Sequence, residues 1–177
     1  MNDSPVTIRD ATLDDAPAIA DIYAHYVRTS VATFELEAPS EADMSRRIER
    51  NLASHAWLVA TQGDAVLGYA YGGPFSDRPA YRWATEVSVY LAPAASRRGV
   101  GTTIYQALLE RLRRRGFRVA VARIALPNDA SLALHERFGF APSGVLRDIG
   151  HKLGAWHDVA LHQLALAPAV AAPPDPT

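Results

Sequence analysis

The chain has 177 residues, of which 18 are Lys or Arg, 19 are Asp or Glu and none is Cys. This length is typical of one domain, and the absence of cysteine excludes disulfides, thiolate metal sites and a cysteine nucleophile. The net charge of −1 argues against a dedicated nucleic-acid-binding protein. The sequence shows neither a secretory signal nor a run of about 20 apolar residues, so we expect a cytoplasmic protein that does not contact membranes.

The first part of the chain predicts a strand, two capped helices and a hairpin. Thr12 with Asp15 three residues later is typical of a helix start. Ser40 has the same capping pattern before a second helix. Phe34 lies in the loop between these helices, where it either packs in the core or forms the wall of a pocket. The tripeptide Gln-Gly-Asp at 62–64 separates two apolar runs and predicts a hairpin turn.

The second part of the chain alternates between predicted strands and helices. The predicted elements are a strand at 83–91, an amphipathic helix at 101–115, an apolar strand at 119–124, a short helix at 131–138 and final strands at 141–148 and 157–166. This order predicts a single α/β domain over residues 1–166, with a mixed central sheet and helices on both faces. Alanine and proline dominate residues 167–177, which predicts a disordered tail.

The loop before the amphipathic helix has the composition of an anion-binding site. Gly99 and Gly101 allow a tight turn and a close approach to a ligand, and the unpaired N–H groups of a helix start bind phosphates. The loop lacks the Lys of a Walker loop and the third Gly of a dinucleotide fingerprint. The alternative is an ordinary connection between a strand and a helix. The candidate ligand-binding segment comprises Arg97, Arg98, Gly99, Val100, Gly101, Thr102 and Thr103.

The strand that precedes this loop presents polar side chains on one face. Because side chains alternate along a strand, Glu86, Ser88 and Tyr90 share one face, and Val89 and Leu91 share the other. A carboxylate in this position can accept a proton from an ammonium group, directly or through water. The alternative interpretation is a solvated strand face without function.

The short helix near residue 131 carries another candidate face. Asn128, Ser131 and His135 have helical spacing and share one face, whereas Leu134 and Phe138 predict the opposite, buried face. Histidine titrates near neutrality, so His135 is a candidate donor of a proton or a hydrogen bond. The alternative is a capped helix with a surface histidine.

These motifs resemble known acetyltransferases. The glycine loop is similar to the pyrophosphate loop of the Gcn5-related N-acetyltransferases (GNAT), usually Gln/Arg-x-x-Gly-x-Gly/Ala, with Ser96 where Gln or Arg is usual. The family's Tyr-x-x-x-Gly-Phe motif matches a segment in which His135 replaces the Tyr. Seven further segments resemble the phosphinothricin and methionine sulfone/sulfoximine acetyltransferases: 69–71, 74–75, Tyr81 with Trp83, 85–86, 88–90, 126–129 and 154–158.

The resemblance implies a GNAT fold with a mostly antiparallel sheet, and direct acetyl transfer from acetyl-CoA to the α-amine of a small amino acid. It also implies a homodimer, and a part in detoxification and herbicide resistance. Glu86 and His135 are the implied catalytic residues. The candidate coenzyme-binding residues are Val89, Tyr90, Leu91, the segment 97–103, Asn128 and Ser131. The candidate substrate-binding residues are Phe34, Arg78, Tyr81, Ser88 and Tyr90.

Other interpretations remain open at the level of sequence. The acceptor can instead be a polyamine or a protein N-terminus, or the chain can bind coenzyme A without catalysis. The arginine-rich residues 111–118 suggest a nucleic-acid patch, but cations at a helix end also offset the helix dipole, and we favour a solvated face. His151, His157 and His162 match no zinc-binding spacing, so we predict no metal.

Overall fold

The computed structural model describes residues 4–96, 98–168 and 175–176. The strands are β1 (Val6–Asp10), β2 (Ala56–Gln62), β3 (Ala65–Pro74), β4 (Ala84–Leu91), β5 (Val119–Ala125), β6 (Ala141–Lys152) and β7 (Ala155–Ala165). The α-helices are α1 (Ala16–Thr29), α2 (Glu41–Leu52), α3 (Val100–Arg114) and α4 (Asp129–Arg137). Most of the predicted disordered tail, residues 169–174 and 177, lies outside the described residues.

Seven strands of the described chain form one sheet in the order β1-β2-β3-β4-β5-β7-β6. Neighbouring strands pair antiparallel except β4 and β5, which are parallel. The helices α1 and α2 pack on one face of the sheet, and α3 and α4 pack on the other. The predicted mixed sheet with helices on both faces is therefore present. No helix in the described part of the chain is long and apolar enough to cross a membrane.

Ser40 caps α2 as predicted, whereas at Thr12 only the Asp15 half of the predicted capping box forms. Ser40 Oγ accepts a hydrogen bond from the Asp43 N–H at 3.1 Å, and the Asp43 carboxylate accepts one from the Ser40 N–H at 3.2 Å. The Thr12 N–H donates to the Asp15 carboxylate at 2.8 Å, at a single helical turn that leads into α1. Each arrangement satisfies N–H groups that a helix start leaves without acceptors.

The helix α3 contributes the deepest part of one hydrophobic core. Its residues Ile104, Leu108 and Leu112 recur at helical spacing and are fully buried against β2, β3 and β5. On the other face of the sheet, Ile19 of α1 and Ile48 of α2 are fully buried in a second core. These two cores fix the helices to the sheet, so the start of α3 has a defined position relative to β4.

The parallel strands β4 and β5 pair only briefly. Their ladder joins Ala84–Glu86 to Val119–Val121 and ends there, although both strands continue. Beyond the ladder, the carbonyl oxygen of Leu91 accepts a hydrogen bond from Tyr26 Oη at 2.8 Å. Backbone groups alternate between the two sides of a strand, so those of Val89 face the same open side as those of Leu91. The separation leaves a wedge-shaped opening in the middle of the sheet.

The last hairpin is longer than the sequence patterns indicated. The predicted strands at 141–148 and 157–166 are in fact β6 and β7, which approach each other as far as Lys152 and Ala155. Leu153 and Gly154 form the turn with φ values of +53° and +79°, as two-residue hairpin turns require. The pairing register shifts near Asp148, whose φ is +46°. This bulge interrupts the alternation on which the prediction of β6 depended.

We expect Leu108→Ala to lower the free energy of unfolding by about 2–5 kcal/mol, because it opens a cavity in a fully buried site. Urea denaturation of both proteins measures this difference. Leu36→Ala is the matched control, because Leu36 is 74% exposed and its truncation leaves no cavity. Equal losses in the two variants would contradict the packing described for α3.

Candidate active site

The predicted anion-binding loop leads directly into α3. Gly99 has a φ of +79°, and the Thr103 N–H donates to the Gly99 carbonyl at 3.1 Å, which closes the first turn. The preceding N–H groups of a helix start have no intrahelical acceptor. Val100 is buried, so it can offer a ligand only its backbone. Thr102 is half-buried and Arg98 is exposed, whereas Arg97 lies outside the described residues.

A cavity of about 530 Å³ occupies the opening between β4 and β5, and we call it the β4–β5 cleft. It extends from the start of α3, where Gly101 lines it, to α4. A Cβ atom on Gly101 would lie 3.2 Å from Leu91 Cδ1, so the helix start approaches β4 closely. The sequence-predicted residues that line this cleft are Ser88, Val89, Tyr90, Leu91, Gly101, Asn128, Ser131 and His135.

The helix α4 turns His135 toward the interior. Leu134 and Phe138 are half-buried and pack against the core, but His135 is only 3% exposed, so the alternative of a surface histidine was wrong. The His135 ring packs against Tyr105 and Phe140 with centroid distances of 5.1 and 4.9 Å. The apolar neighbours across the helix interface, which a local pattern does not contain, decide this orientation.

Hydrogen bonding defines the protonation of His135. Its Nδ1 lies 2.7 Å from the carbonyl oxygen of Ser131, and a carbonyl only accepts, so Nδ1 carries the proton. Burial lowers the pKa of His135, and the nearby His162 lowers it further, although the bond to Ser131 opposes both effects. The ring is therefore neutral near pH 7, and its Nε2 atom is an acceptor rather than a donor.

A second cavity, of about 700 Å³, lies beneath the loop that contains Phe34, and we call it the Phe34 cavity. The sequence-predicted residues that line it are Phe34, Glu86, Ser88 and Tyr90. Ser88 and Tyr90 also line the β4–β5 cleft, so the two cavities meet at the polar face of β4. A ligand in one cavity can therefore reach a ligand in the other.

Glu86 forms an ion pair that the sequence patterns did not predict. Arg123 Nε donates to Glu86 Oε1 at 2.8 Å, and Arg123 Nη2 donates to Glu86 Oε2. This hydrogen bonding raises the pKa of Arg123 above its ordinary value. The sequence predicts an apolar strand at 119–124, and the single arginine within that strand is the signal that could reveal the pair.

Hydrogen bonds and one ring contact hold the Phe34 loop over its cavity. The hydroxyl groups of Tyr23 and Thr33 lie 2.6 Å apart, and Lys152 Nζ donates to the Thr33 carbonyl at 2.6 Å. The ring of Phe34 rests against Gly150, where an added Cβ would lie 2.4 Å from the ring. Of the two positions that the sequence allowed for Phe34, the structure shows the pocket wall, because the residue lines the cavity and is only half-buried.

Glu35 is the second carboxylate that lines the Phe34 cavity, and the sequence patterns did not indicate it. It accepts hydrogen bonds from Arg47 at 2.6 and 3.0 Å and from Tyr23 at 2.9 Å. Burial acts to raise the pKa of Glu35, but these hydrogen bonds hold it below its ordinary value. Glu35 is therefore a fully paired anion beside the same cavity as Glu86.

Arg78 and Tyr81 do not line the Phe34 cavity. They lie after the end of β3, beside a separate cavity of about 390 Å³. Arg78 is exposed, and the ring of Tyr81 packs against Phe75 at a centroid distance of 5.4 Å. Within a single chain, the structure therefore does not bring Arg78 and Tyr81 together with Phe34, Ser88 and Tyr90, the other predicted substrate-binding residues.

Comparison with known proteins identifies the fold and the family. Residues 8–161 match the family described as the acetyltransferase (GNAT) domain. The chain belongs to the GNAT acetyltransferase family. The predicted GNAT fold and acetyltransferase class are therefore confirmed, and the brief pairing of β4 and β5 lies at the centre of a GNAT domain.

The chain is similar to curated GNAT enzymes over most of its length. It is 42% identical to a phosphinothricin N-acetyltransferase of Streptomyces viridochromogenes, across 90% of this chain and 87% of that protein. It is 36% identical to the L-methionine sulfoximine/L-methionine sulfone acetyltransferase of Pseudomonas aeruginosa, across 94% of this chain and 98% of that protein. Both groups that the sequence motifs resemble are thus among its relatives.

Solved GNAT structures superpose closely on this chain. An acetyltransferase from Salmonella typhimurium, solved with its cofactor acetyl-CoA, has a TM-score of 0.92 and 33% identity, and 96% of this chain and 98% of that chain are covered. A phosphinothricin acetyltransferase from Sinorhizobium meliloti, in complex with acetyl-CoA, has a TM-score of 0.90 and 37% identity, and 100% of this chain and 94% of that chain are covered.

We expect Gly101→Asp to weaken acetyl-CoA binding, because it adds a negative charge at a helix start whose N–H groups favour phosphates. Calorimetric titration with acetyl-CoA measures the change in affinity. Gly101→Ala is the matched control, because it adds the same Cβ, 3.2 Å from Leu91 Cδ1, without the charge. A folded Gly101→Asp protein with the affinity of Gly101→Ala would contradict the assignment of this loop.

Proposed function

We propose that this chain is an acetyl-CoA-dependent N-acetyltransferase that acetylates the α-amine of a small amino acid. Phosphinothricin, methionine sulfone and methionine sulfoximine are the candidate acceptors, because relatives over most of the chain are named for them. The observation that carries the proposal is the junction of two cavities at the polar face of β4, with Glu86 beside it. We also propose that the enzyme is cytoplasmic and that it detoxifies such compounds, including the herbicide phosphinothricin.

The β4–β5 cleft has the features that acetyl-CoA needs. The start of α3 offers N–H groups to the pyrophosphate, with Gly99 and Gly101 allowing its close approach. The open side of β4 offers the backbone groups of Val89 to the pantetheine arm, whereas those of Leu91 already contact Tyr26 Oη. Asn128 lines the cleft, and because its Oδ1 already accepts from the Ser131 N–H at 3.1 Å, its amide NH₂ is the group offered. When bound, acetyl-CoA supplies the acetyl thioester.

Proton removal is the role proposed for Glu86. An α-amine is an ammonium ion near pH 7, and it must lose a proton before it can attack a carbonyl carbon. Glu86 lines the Phe34 cavity next to Ser88 and can accept this proton, directly or through one water molecule. Backbone N–H groups on the open side of β4 can polarise the acetyl carbonyl. The chain contains no cysteine, and direct transfer needs none.

His135 keeps a catalytic role in this proposal, as an acceptor. It lies on α4 and lines the β4–β5 cleft, and its Nδ1–H group donates a hydrogen bond to the Ser131 carbonyl. The buried Nε2 atom has no hydrogen-bond partner among the described residues, so its lone pair is the acceptor that His135 offers. A donor role would first require protonation of a buried ring, which its lowered pKa opposes.

We expect Glu86→Gln to lower kcat by about 10²–10⁴-fold, the usual contribution of a general base. Part of this loss should be recovered at high pH, because the acceptor amine then loses its proton to water. Thiol release from acetyl-CoA with methionine sulfone as acceptor measures both effects. Glu35→Gln is the matched control, because Glu35 is another arginine-paired carboxylate that lines the same cavity.

Two results would oppose this assignment. A Glu86→Gln enzyme within a few-fold of the wild type at every pH would remove the base role. Wild-type protein that binds acetyl-CoA but releases no thiol with any amino acid, polyamine or peptide amine would instead indicate coenzyme binding without catalysis.

A homodimer is part of the proposal, and exposed apolar side chains support it. Leu146, Ile149, Leu153 and Trp156 are exposed along the β6–β7 hairpin, at the edge of the sheet, and Trp156 is 63% exposed. Large exposed apolar patches are typical of protein–protein contacts. Arg78 lies apart from the Phe34 cavity of its own chain, so any contact of Arg78 with the acceptor is proposed to occur in the partner's site.

We expect co-expressed Arg78→Ala and Glu86→Gln chains to recover activity that neither variant has alone. A mixed dimer then contains one site with both residues intact, so a random mixture should reach about a quarter of the wild-type rate. Thiol release by the purified mixture measures this recovery. If Arg78 acts within its own chain or not at all, the mixture will show no more than the mean of the two separate variants.

A further inference from the structure

We propose that Arg123 is the receptor for the α-carboxylate of the acceptor amino acid, and that this carboxylate replaces Glu86 in the ion pair when the acceptor binds. This inference rests on the proposed function and specifies its substrate as an amino acid with a free carboxylate. It assigns to Arg123 the discrimination between amino acids and simple amines.

The position of Arg123 places its guanidinium group where the two substrates meet. Arg123 lies on β5 two residues beyond Val121, where the ladder with β4 ends. It lines both the β4–β5 cleft and the Phe34 cavity. Its side chain is 56% exposed, and the side chain of Glu86 is 22% exposed. The pair is therefore accessible from the cavities rather than sealed in a core.

The charges around the Phe34 cavity match those of an amino acid. Two carboxylates line it, Glu35 and Glu86, and Arg123 is the only Arg or Lys side chain among its described lining residues. Arg47 is engaged with Glu35, and Lys152 donates to a backbone carbonyl. An incoming carboxylate therefore has one arginine or lysine of the same chain available at this cavity. An incoming ammonium group has the Glu86 carboxylate as its partner, next to Arg123.

The donor geometry of Arg123 allows the exchange of partners. A guanidinium group has five N–H donors, and the bonds to Glu86 use only Nε and Nη2. A second carboxylate can first bind at Nη1 and then take the two-pronged contact that guanidinium groups favour. A carboxylate oxygen that no longer accepts from an arginine has a lone pair free for another donor.

The exchange connects recognition with proton transfer. Binding of the α-carboxylate to Arg123 releases Glu86, and the released carboxylate oxygen accepts a proton from the ammonium nitrogen of the same molecule. An acceptor without a carboxylate leaves the pair of Glu86 and Arg123 closed. The closed ion pair therefore disfavours acetylation of amino-acid amides and polyamines. This selection depends on charge and does not require a steric barrier.

The test compares methionine sulfone with methionine sulfone amide, which has the same side chain and α-amine but no carboxylate. We expect the wild-type kcat/KM to favour the acid by about 10- to 100-fold, the range expected from hydrogen bonds to charged groups. Arg123→Gln should lower kcat/KM for the acid by a similar factor and change that for the amide little. Arg123→Lys keeps the positive charge but loses the paired N–H donors of the guanidinium group. Its kcat/KM for the acid should lie between those of the wild type and Arg123→Gln.

The ratio of kcat/KM for the acid to kcat/KM for the amide is the deciding quantity. Intrinsic differences in amine reactivity affect this ratio equally in the wild type and in the variant, so they cancel. Arg46→Gln is the matched control, since Arg46 is an exposed arginine of α2 that lines neither cavity. It should leave the ratio unchanged. Circular dichroism and acetyl-CoA affinity establish that each variant is folded.

Several outcomes would overturn the inference while leaving the proposed function intact. One is an active wild-type enzyme with no preference for the acid. Another is an equal loss on both substrates in the Arg123→Gln and Arg123→Lys enzymes, which would show that Arg123 serves Glu86 alone. Absence of wild-type thiol release with either substrate and with every other amino acid would count against the proposed function itself.

Discussion

The separation of β4 from β5 is the constraint on which the rest of this structure depends. Three residues of each strand pair, and the strands then diverge within the centre of the sheet. Buried backbone groups need hydrogen-bond partners, and Tyr26 provides one for Leu91. The remaining open side of β4 creates the cleft that leads from the start of α3 to α4. A continuous ladder would close this opening and leave no path between the two cavities.

The two hydrophobic cores hold the edges of this opening. The buried stripe of α3 fixes the helix against the sheet, so its first turn, beginning at Val100, faces the end of β4. On the opposite face, α1 carries both the buried Ile19 and the hydroxyl of Tyr26 that contacts β4. Packing and ligand geometry are therefore linked, because the same helices that stabilise the sheet also position the groups around the cleft.

Polar groups around the Phe34 cavity occur in paired sets. Glu35 is paired with Arg47, Glu86 with Arg123, and the Lys152 amine with a backbone carbonyl. Unpaired charges near a cavity wall are costly, so pairing is expected wherever the site must exist without its ligand. The pairs differ in position, because Arg123 lines both cavities, whereas Glu35 lines the Phe34 cavity and its partner Arg47 lines neither. We propose that this difference separates a structural pair at Glu35 from a reactive pair at Glu86.

The sequence by itself determined the elements, the glycine loop and the polar face of β4, because caps, turns and side-chain alternation depend on neighbours within a few residues. It also contained the motifs that reveal the family. Only the tertiary structure decided that Arg123 meets Glu86, that His135 is buried and that Arg78 lies outside the Phe34 cavity. These facts depend on how β5, α4 and the loop after β3 pack against distant segments, and spacing along one chain does not encode those contacts.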